Sequence, residues 1–145
     1  MKILIQRVSK AEVFVNDKSV ADIGTGILAF VGVAKDDDGS EIPWLARKLA
    51  ELRIFPDDKG KMNLSVKDAG GSILLVSQFT LCAATSKGRR PDFFTAAPPD
   101  IAEGLFNAFV DELKNNGVEV RTGVFGASMQ VHLINDGPVT FIIEK

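Results

Sequence analysis

Apolar and polar positions alternate along this chain in a way that separates short strands from two helical stripes. Met1–Arg7 and Ala11–Val15 are β-type runs, and Val20–Ile23 is another, reached through Asn16-Asp17-Lys18, the residue types of a hairpin turn. Gly26–Val33 is apolar without alternation, which predicts a central strand buried on both faces. After the acidic loop Lys35–Ser40, Ser40 has the chemistry of a helix cap and Pro43 falls in the first turn. Ile42, Leu45, Leu49 and Leu52 follow at spacings of three, four and three, one apolar stripe of a helix. Arg53–Phe55 returns as a strand, Pro56–Gly60 is a loop, and Met62–Asp68 fits either irregular chain or one helical turn. Ser72–Leu81 predicts a second buried strand. Ala83–Pro99, with three prolines, is a long loop, a length that in compact domains often carries function. Asp100 and Glu103 are spaced as a capping pair for a second helix with Leu105, Phe109 and Leu113 on its buried stripe, ended by Asn116-Gly117. Val118–Arg121 is a strand and Thr122–Ala127 a glycine-containing loop. Gln130–Ile134 and Val139–Glu144 then read as a closing hairpin around Asn135-Asp136-Gly137-Pro138, four residues that suit a tight turn.

The expected fold class is therefore mixed α+β in one domain, 1–145: a mostly antiparallel sheet or open barrel-like core covered by two amphipathic helices. Strands and helices do not alternate strictly, which disfavours a doubly wound nucleotide-binding fold. A chain of 145 residues buries roughly 68–70% of its unfolded surface and needs no metal or disulfide to hold a core. Its single cysteine, Cys82, fits a reducing compartment. No apolar run reaches the length of a membrane span, and the N-terminus turns polar after five residues, so a cytoplasmic location is expected. The net charge of −2 confines any nucleic-acid contact to a local patch.

The chemistry is notable for what it lacks. His132 is the sole histidine and sits among apolar neighbours in an expected strand, so no Ser–His–Asp or Cys–His set is available. Metal-ligand spacings, a phosphate-binding Gly-Lys-Ser/Thr loop and a dinucleotide fingerprint are missing, and neither metal nor cofactor is expected. What remains is polar groups at strand ends, namely Ser77, Gln78, Thr80 and Asn135, with the backbone around Gly137-Pro138 and a basic loop Lys87-Gly88-Arg89-Arg90-Pro91. Backbone groups can hold a ligand without side-chain chemistry, and a basic loop can meet phosphates, although a plain solvated loop has the same composition. An enzyme with no side-chain nucleophile of its own suits a substrate that brings a reactive group, as RNA does with its 2′-hydroxyl.

Four stretches carry a resemblance: Ser77-Gln78-Phe79-Thr80-Leu81, Lys87-Gly88-Arg89-Arg90-Pro91, Gly126-Ala127-Ser128-Met129 and Asn135-Asp136-Gly137-Pro138-Val139-Thr140. Together with Ile5-Gln6-Arg7-Val8-Ser9, Leu52–Phe55 and Lys61–Ser65, they resemble the motifs of the D-aminoacyl-tRNA deacylases, in order and over essentially the whole chain. Cys82 stands where that family usually has an aromatic residue.

The resemblance implies a homodimer, with the active site at the subunit interface, that hydrolyses the ester between a D-amino acid, or glycine, and the 3′ end of an aminoacylated tRNA. It implies that Gly137-Pro138, joined by a cis bond, checks chirality in the partner subunit's pocket. It places Ser77, Gln78, Phe79 and Thr80 on the pocket floor, Phe125 and Met129 on its walls, and Lys87, Arg89 and Arg90 against tRNA. Thr80 and Gln78 are then the candidate catalytic residues, but the Thr80 hydroxyl has no evident base. Assistance by the ribose 2′-hydroxyl, with the enzyme supplying position and an oxyanion site, is the expected mechanism. The competing readings are a sibling deacylase with relaxed chirality and a non-catalytic tRNA-binding or trans-editing accessory domain.

Overall fold

The computed structural model describes residues 1–86 and 88–145. Among them the chain runs β1 (Lys2–Val15), β2 (Lys18–Ile23), β3 (Gly26–Gly32), α1 (Ile42–Glu51), β4 (Phe55–Pro56), β5 (Met62–Leu64), β6 (Ser72–Ser77), a 3-10 turn (Phe79–Cys82), α2 (Pro99–Asn115), β7 (Glu119–Thr122) and β8 (Gln130–Glu144). The two N-terminal runs merge into one strand of 14 residues. It turns into β2 through Asn16 and Asp17, both at positive φ (50° and 59°), the twist that a two-residue hairpin requires.

β1 organises the sheet. β2 and β3 lie end to end along one of its edges, with Ala11 opposite Ile23 and Val8 opposite Gly26. β8 covers the other edge almost entirely, from Lys2 opposite Glu144 to Phe14 opposite Gln130. Beyond β3 the pairing changes sense: β3–β6 and β6–β7 are parallel, and α1 and α2 lie in the crossovers that parallel pairing demands. The result is the expected mixed α+β architecture, a nearly closed barrel-like sheet with two helices on one face.

Two apolar clusters account for the closure. Ile3, Ile5, Ile27, Ala29, Val31, Ile73 and Leu75 face the helices, where Leu45, Leu49, Phe106, Phe109 and Leu113 meet them. Val8, Ala11, Val13, Leu28, Leu74 and Val76 form a second cluster on the opposite face. Successive residues of β3 and β6 thus serve different cores, which is why Gly26–Val33 shows no polar face. β1 changes cluster part-way, after Ile5. The β1–β8 register shifts there, between Gln6 and Val8 and again before Lys10, and such bulges let a strand bend around a barrel. Gly26 permits the close approach of β3 to β6, since a Cβ there would stand 2.0 Å from the Ser72 carbonyl oxygen.

Several expectations are corrected. Ser40 does not cap α1: the helix starts after Glu41 with Pro43 in its first turn. Asp100 does not cap α2 either, which opens on Pro98 and Pro99, whose fixed φ suits a helix start. Its buried face is Ala102, Phe106, Phe109, Val110 and Leu113, while Leu105 is only partly buried. Met62–Asp68 supplies β5 and a turn pinned by Asp68, whose Oδ2 accepts from Ser65 N at 2.9 Å and from Ser65 Oγ at 2.7 Å. The expected strand Ser72–Leu81 ends at Ser77, and the chain coils into the 3-10 turn instead. The largest correction concerns the C-terminus. No hairpin forms there, because both flanks pair with β1 and Asn135–Pro138 bulges out of one continuous strand.

Candidate active site

Where β6 ends, the Gln78 amide donates to the Val31 carbonyl at 2.8 Å and the chain turns. Gly32 makes room for that turn. A Cβ at this position would lie 2.9 Å from Leu81 Cβ and 3.1 Å from the Gln78 carbonyl oxygen. The Gln78 side chain reaches forward, and its Nε2 donates to Thr80 Oγ1. Above this turn opens a cavity of about 450 Å³. Its floor is Val31, Val33, Val76, Ser77, Gln78 and Phe79. One wall is Ala97, Pro99, Ala102 and Phe106, and the other is Phe125, Gly126, Ala127, Met129 and Val131. Phe125 leans on Phe106 with ring centroids 6.0 Å apart. Met129 keeps its place because Gly123 has no side chain: a Cβ there would stand 2.6 Å from Met129 Sδ.

None of the described lining residues has an ionisable side chain. His132 lies outside, exposed on β8 with its ring 5.0 Å from that of Phe14. Cys82 is half-buried beside a second hollow, and its thiol is pushed up from its ordinary value, first by burial and then by the charge of Asp37. It does not line the cavity. The cavity can therefore position and polarise a ligand with amides, carbonyls, a hydroxyl and apolar walls, and it offers no general base from a side chain.

The bulge of β8 is built as firmly as the cavity. Arg7, 9% exposed, donates from Nε to the Asp136 carbonyl at 2.9 Å, and the same nitrogen stands 2.9 Å from Asp136 Oδ2. Its Nη1 donates to the Ile54 carbonyl. Asn135 Nδ2 spans the base of the bulge, donating to the Arg7 carbonyl at 3.0 Å and to the Val139 carbonyl at 3.2 Å. The Asn135 side chain lies so close over Gly137 that a Cβ there would meet its Oδ1 at 2.4 Å. The Gly137-Pro138 bond is cis, as the resemblance implies.

The structure thus brings Ser77, Gln78, Phe79, Phe125 and Met129 into one cavity. Thr80 stands beside it, exposed and bonded to Gln78. Gly137 and Pro138 are exposed on the bulge and do not line the cavity of their own chain. Arg89 and Arg90 are exposed in a loop whose base is closed by a bridge between Ala84 and Asp92. Lys87 of the same basic triplet lies outside the described residues.

The model of the D-Tyr-tRNA(Tyr) deacylase family matches residues 4–144. A D-aminoacyl-tRNA deacylase of Geobacter sulfurreducens is 56% identical over 144 residues, covering 99% of this chain and 95% of that protein. This chain belongs to the D-Tyr-tRNA(Tyr) deacylase family. It is accordingly a hydrolase. Among solved structures, a c-Myc DNA unwinding element binding protein superposes with a TM-score of 0.93 at 42% identity, covering 100% of this chain and 99% of that one. A probable eukaryotic D-amino acid tRNA deacylase, at 18% identity, superposes with a TM-score of 0.85 over 98% of this chain and 97% of that one, a likeness of fold.

For a member of this deacylase family, the structure adds residues that sequence reasoning passed over. Arg7 was legible as part of a motif but not as the brace of the bulge, because its partner Asp136 is 129 residues away. Gly32 and Gly123 shape the floor and one wall through the side chains they lack. Phe106, Ala102 and Val31 line the cavity yet have the composition of core, and nothing in a single sequence marks which apolar residues face a hollow.

Proposed function

We infer that the chain hydrolyses the ester joining a D-amino acid, or glycine, to the 3′ end of tRNA, and spares the L-aminoacyl ester. The observation that carries this reading is the cavity whose described lining residues carry no ionisable side chain. A hydrolase so built relies on the substrate for its proton shuttle, and a ribose 2′-hydroxyl adjacent to the scissile ester is such a group. Water attacks the ester carbonyl carbon, the 3′-oxygen departs, and the 2′-hydroxyl relays the proton. In this reading the developing oxyanion is held by the opening amides of the 3-10 turn, which begins at Phe79 on the cavity floor.

Chirality is read by main chain rather than side chain. Gly137 and Pro138 are exposed and do not line the cavity of their own chain, which supports a reading in which each copy of a homodimer presents them to substrate in the other's cavity. Rigid carbonyls there receive the α-amino group and leave no volume where an L side chain would point. Glycine, with no side chain, escapes that exclusion. The basic loop with Arg89 and Arg90 supports a role in holding the RNA backbone. The test is hydrolysis of matched D- and L-tyrosyl-tRNA by the purified protein. Rapid loss of the D ester with the L ester intact is expected. Comparable cleavage of both would give the relaxed-chirality reading, and cleavage of neither would leave a binding domain.

A further inference from the structure

An aromatic ledge leads away from the cavity mouth. Phe79, part of the cavity floor, meets Phe93 edge to face with ring centroids 5.1 Å apart. The next residue, Phe94, is 76% exposed, and Lys35 Nζ stands 4.0 Å from the centre of its ring. The segment is pinned in place. Lys35 N donates to the Thr95 carbonyl at 2.9 Å, Phe94 N donates to Asp92 Oδ1 at 2.8 Å, and Ala34 bridges to Ala96. An exposed ring held this rigidly contributes nothing to either core. Arg89 and Arg90 are exposed just before it in the chain.

Exposed aromatic rings flanked by cations are what unpaired nucleotides bind, with bases stacked on the rings and phosphates against the charges. An apolar protein surface docking here would have to strip water from Lys35 and the arginines, whereas a polyanion neutralises them. We propose that Phe94, backed by Phe93 and Lys35, is a stacking platform for the unpaired nucleotides immediately 5′ of the one held in the cavity, with Arg89 and Arg90 on their phosphates. This rests on the reading that an RNA 3′ end enters the cavity, and it assigns a separate site to the nucleotides before that end.

The test compares two esters: D-tyrosyl-tRNA, and D-tyrosyl-adenosine, which has no preceding nucleotide. For Phe94→Ala the KM for D-tyrosyl-tRNA should rise about tenfold with kcat little changed, the size expected from losing one stacked base. The same variant should hydrolyse D-tyrosyl-adenosine like the parent, and Phe94→Trp should restore the tRNA KM. Equal losses on both esters, or none on either, would overturn the platform. So would a change of oligomeric state on sedimentation, which would give this face to contact between copies. Binding of uncharged tRNA separates this proposal from the catalytic reading, since it needs no hydrolysis. Trimming the unpaired 3′ nucleotides should weaken binding to the parent more than binding to Phe94→Ala, which has only the cavity and arginine contacts left to lose. Equal weakening of both proteins would overturn the platform even if no ester is cleaved.

Discussion

The Arg7 guanidinium holds Asp136 twice from one nitrogen, Nε, which lies 2.9 Å from both the backbone carbonyl oxygen and a carboxylate oxygen of that residue. Through this grip a nearly buried cation on β1 fixes the bulge that displays Gly137 and Pro138. The conformation of those two residues is thus set by a side chain far away in sequence.

Replacing Arg7 tests that dependence. Arg7→Met removes charged hydrogen bonds to two backbone carbonyls, each worth about 1.5–3 kcal/mol. A lower Tm is expected, together with a loss of D-ester hydrolysis beyond tenfold at a temperature where the variant remains folded. Arg7→Lys should recover part of the stability and little of the activity, because an ammonium cannot reproduce the planar fork. Circular dichroism and single-turnover rates measure the two effects separately.

Thr80 is expected to be dispensable for chemistry. Its hydroxyl is exposed and accepts from Gln78 Nε2, and no described residue of the cavity lining has a basic side chain. Thr80→Ala should retain single-turnover deacylation within about tenfold, the lower end of what a true nucleophile or general base contributes being larger. Abolished turnover in a folded variant would make the hydroxyl the nucleophile.

Gly123→Ala should narrow the cavity without unfolding the protein. The added methyl would crowd Met129 Sδ, the far end of a flexible side chain, and push it into the space between the walls. Overpacking of this kind costs about 1–3 kcal/mol at most sites, and a side chain free to move brings it to the low end. A raised KM with a nearly unchanged Tm is expected, and adding Met129→Ala should bring the KM back down. If the double variant is no better than the single one, the obstruction lies elsewhere.

Arg89→Gln with Arg90→Gln should weaken tRNA binding by a similar factor for every tRNA tested. Two lost phosphate contacts should flatten the dependence of log affinity on log salt by roughly 1.4–1.8. An unaltered salt slope would assign both arginines to a merely solvated loop.

Acid stability has a local source in the turn after β5. Hydrogen bonds from Ser65 hold the Asp68 carboxyl below its ordinary value of 3.8. A carboxylate depressed by folding contributes stability that is fully present above the unfolded value and fades as pH falls through the lower, folded one. Asp68→Asn should therefore lower the Tm at neutral pH and matter progressively less in strong acid. A difference between variant and parent that stays constant down to pH 2 would remove Asp68 from the acid response.

Much of the fold was legible because periodicity reports burial directly. Gly26–Val33 is apolar throughout since β3 serves two cores, and Asn16-Asp17 accepts the positive φ that its hairpin imposes. Asn135–Pro138 misled for a physical reason. Those residues suit any sharp departure from extended chain, and whether the flanking strands pair with each other or both with β1 is decided by a partner more than a hundred residues away. The end of β6 at Ser77 was hidden in the same way, because the space for its turn is provided by Gly32 on the neighbouring strand. Ser77, Gln78 and Phe79 could be singled out by their place after an apolar run. The hollow they open onto could not, since α2 and the Phe125 loop supply its walls.

The described walls of this chamber carry no group that gains or loses a proton. Among the described lining residues there is no thiol or imidazole for an electrophile to cap. Regulation acting through protonation or thiol chemistry would have to bear on groups outside that lining.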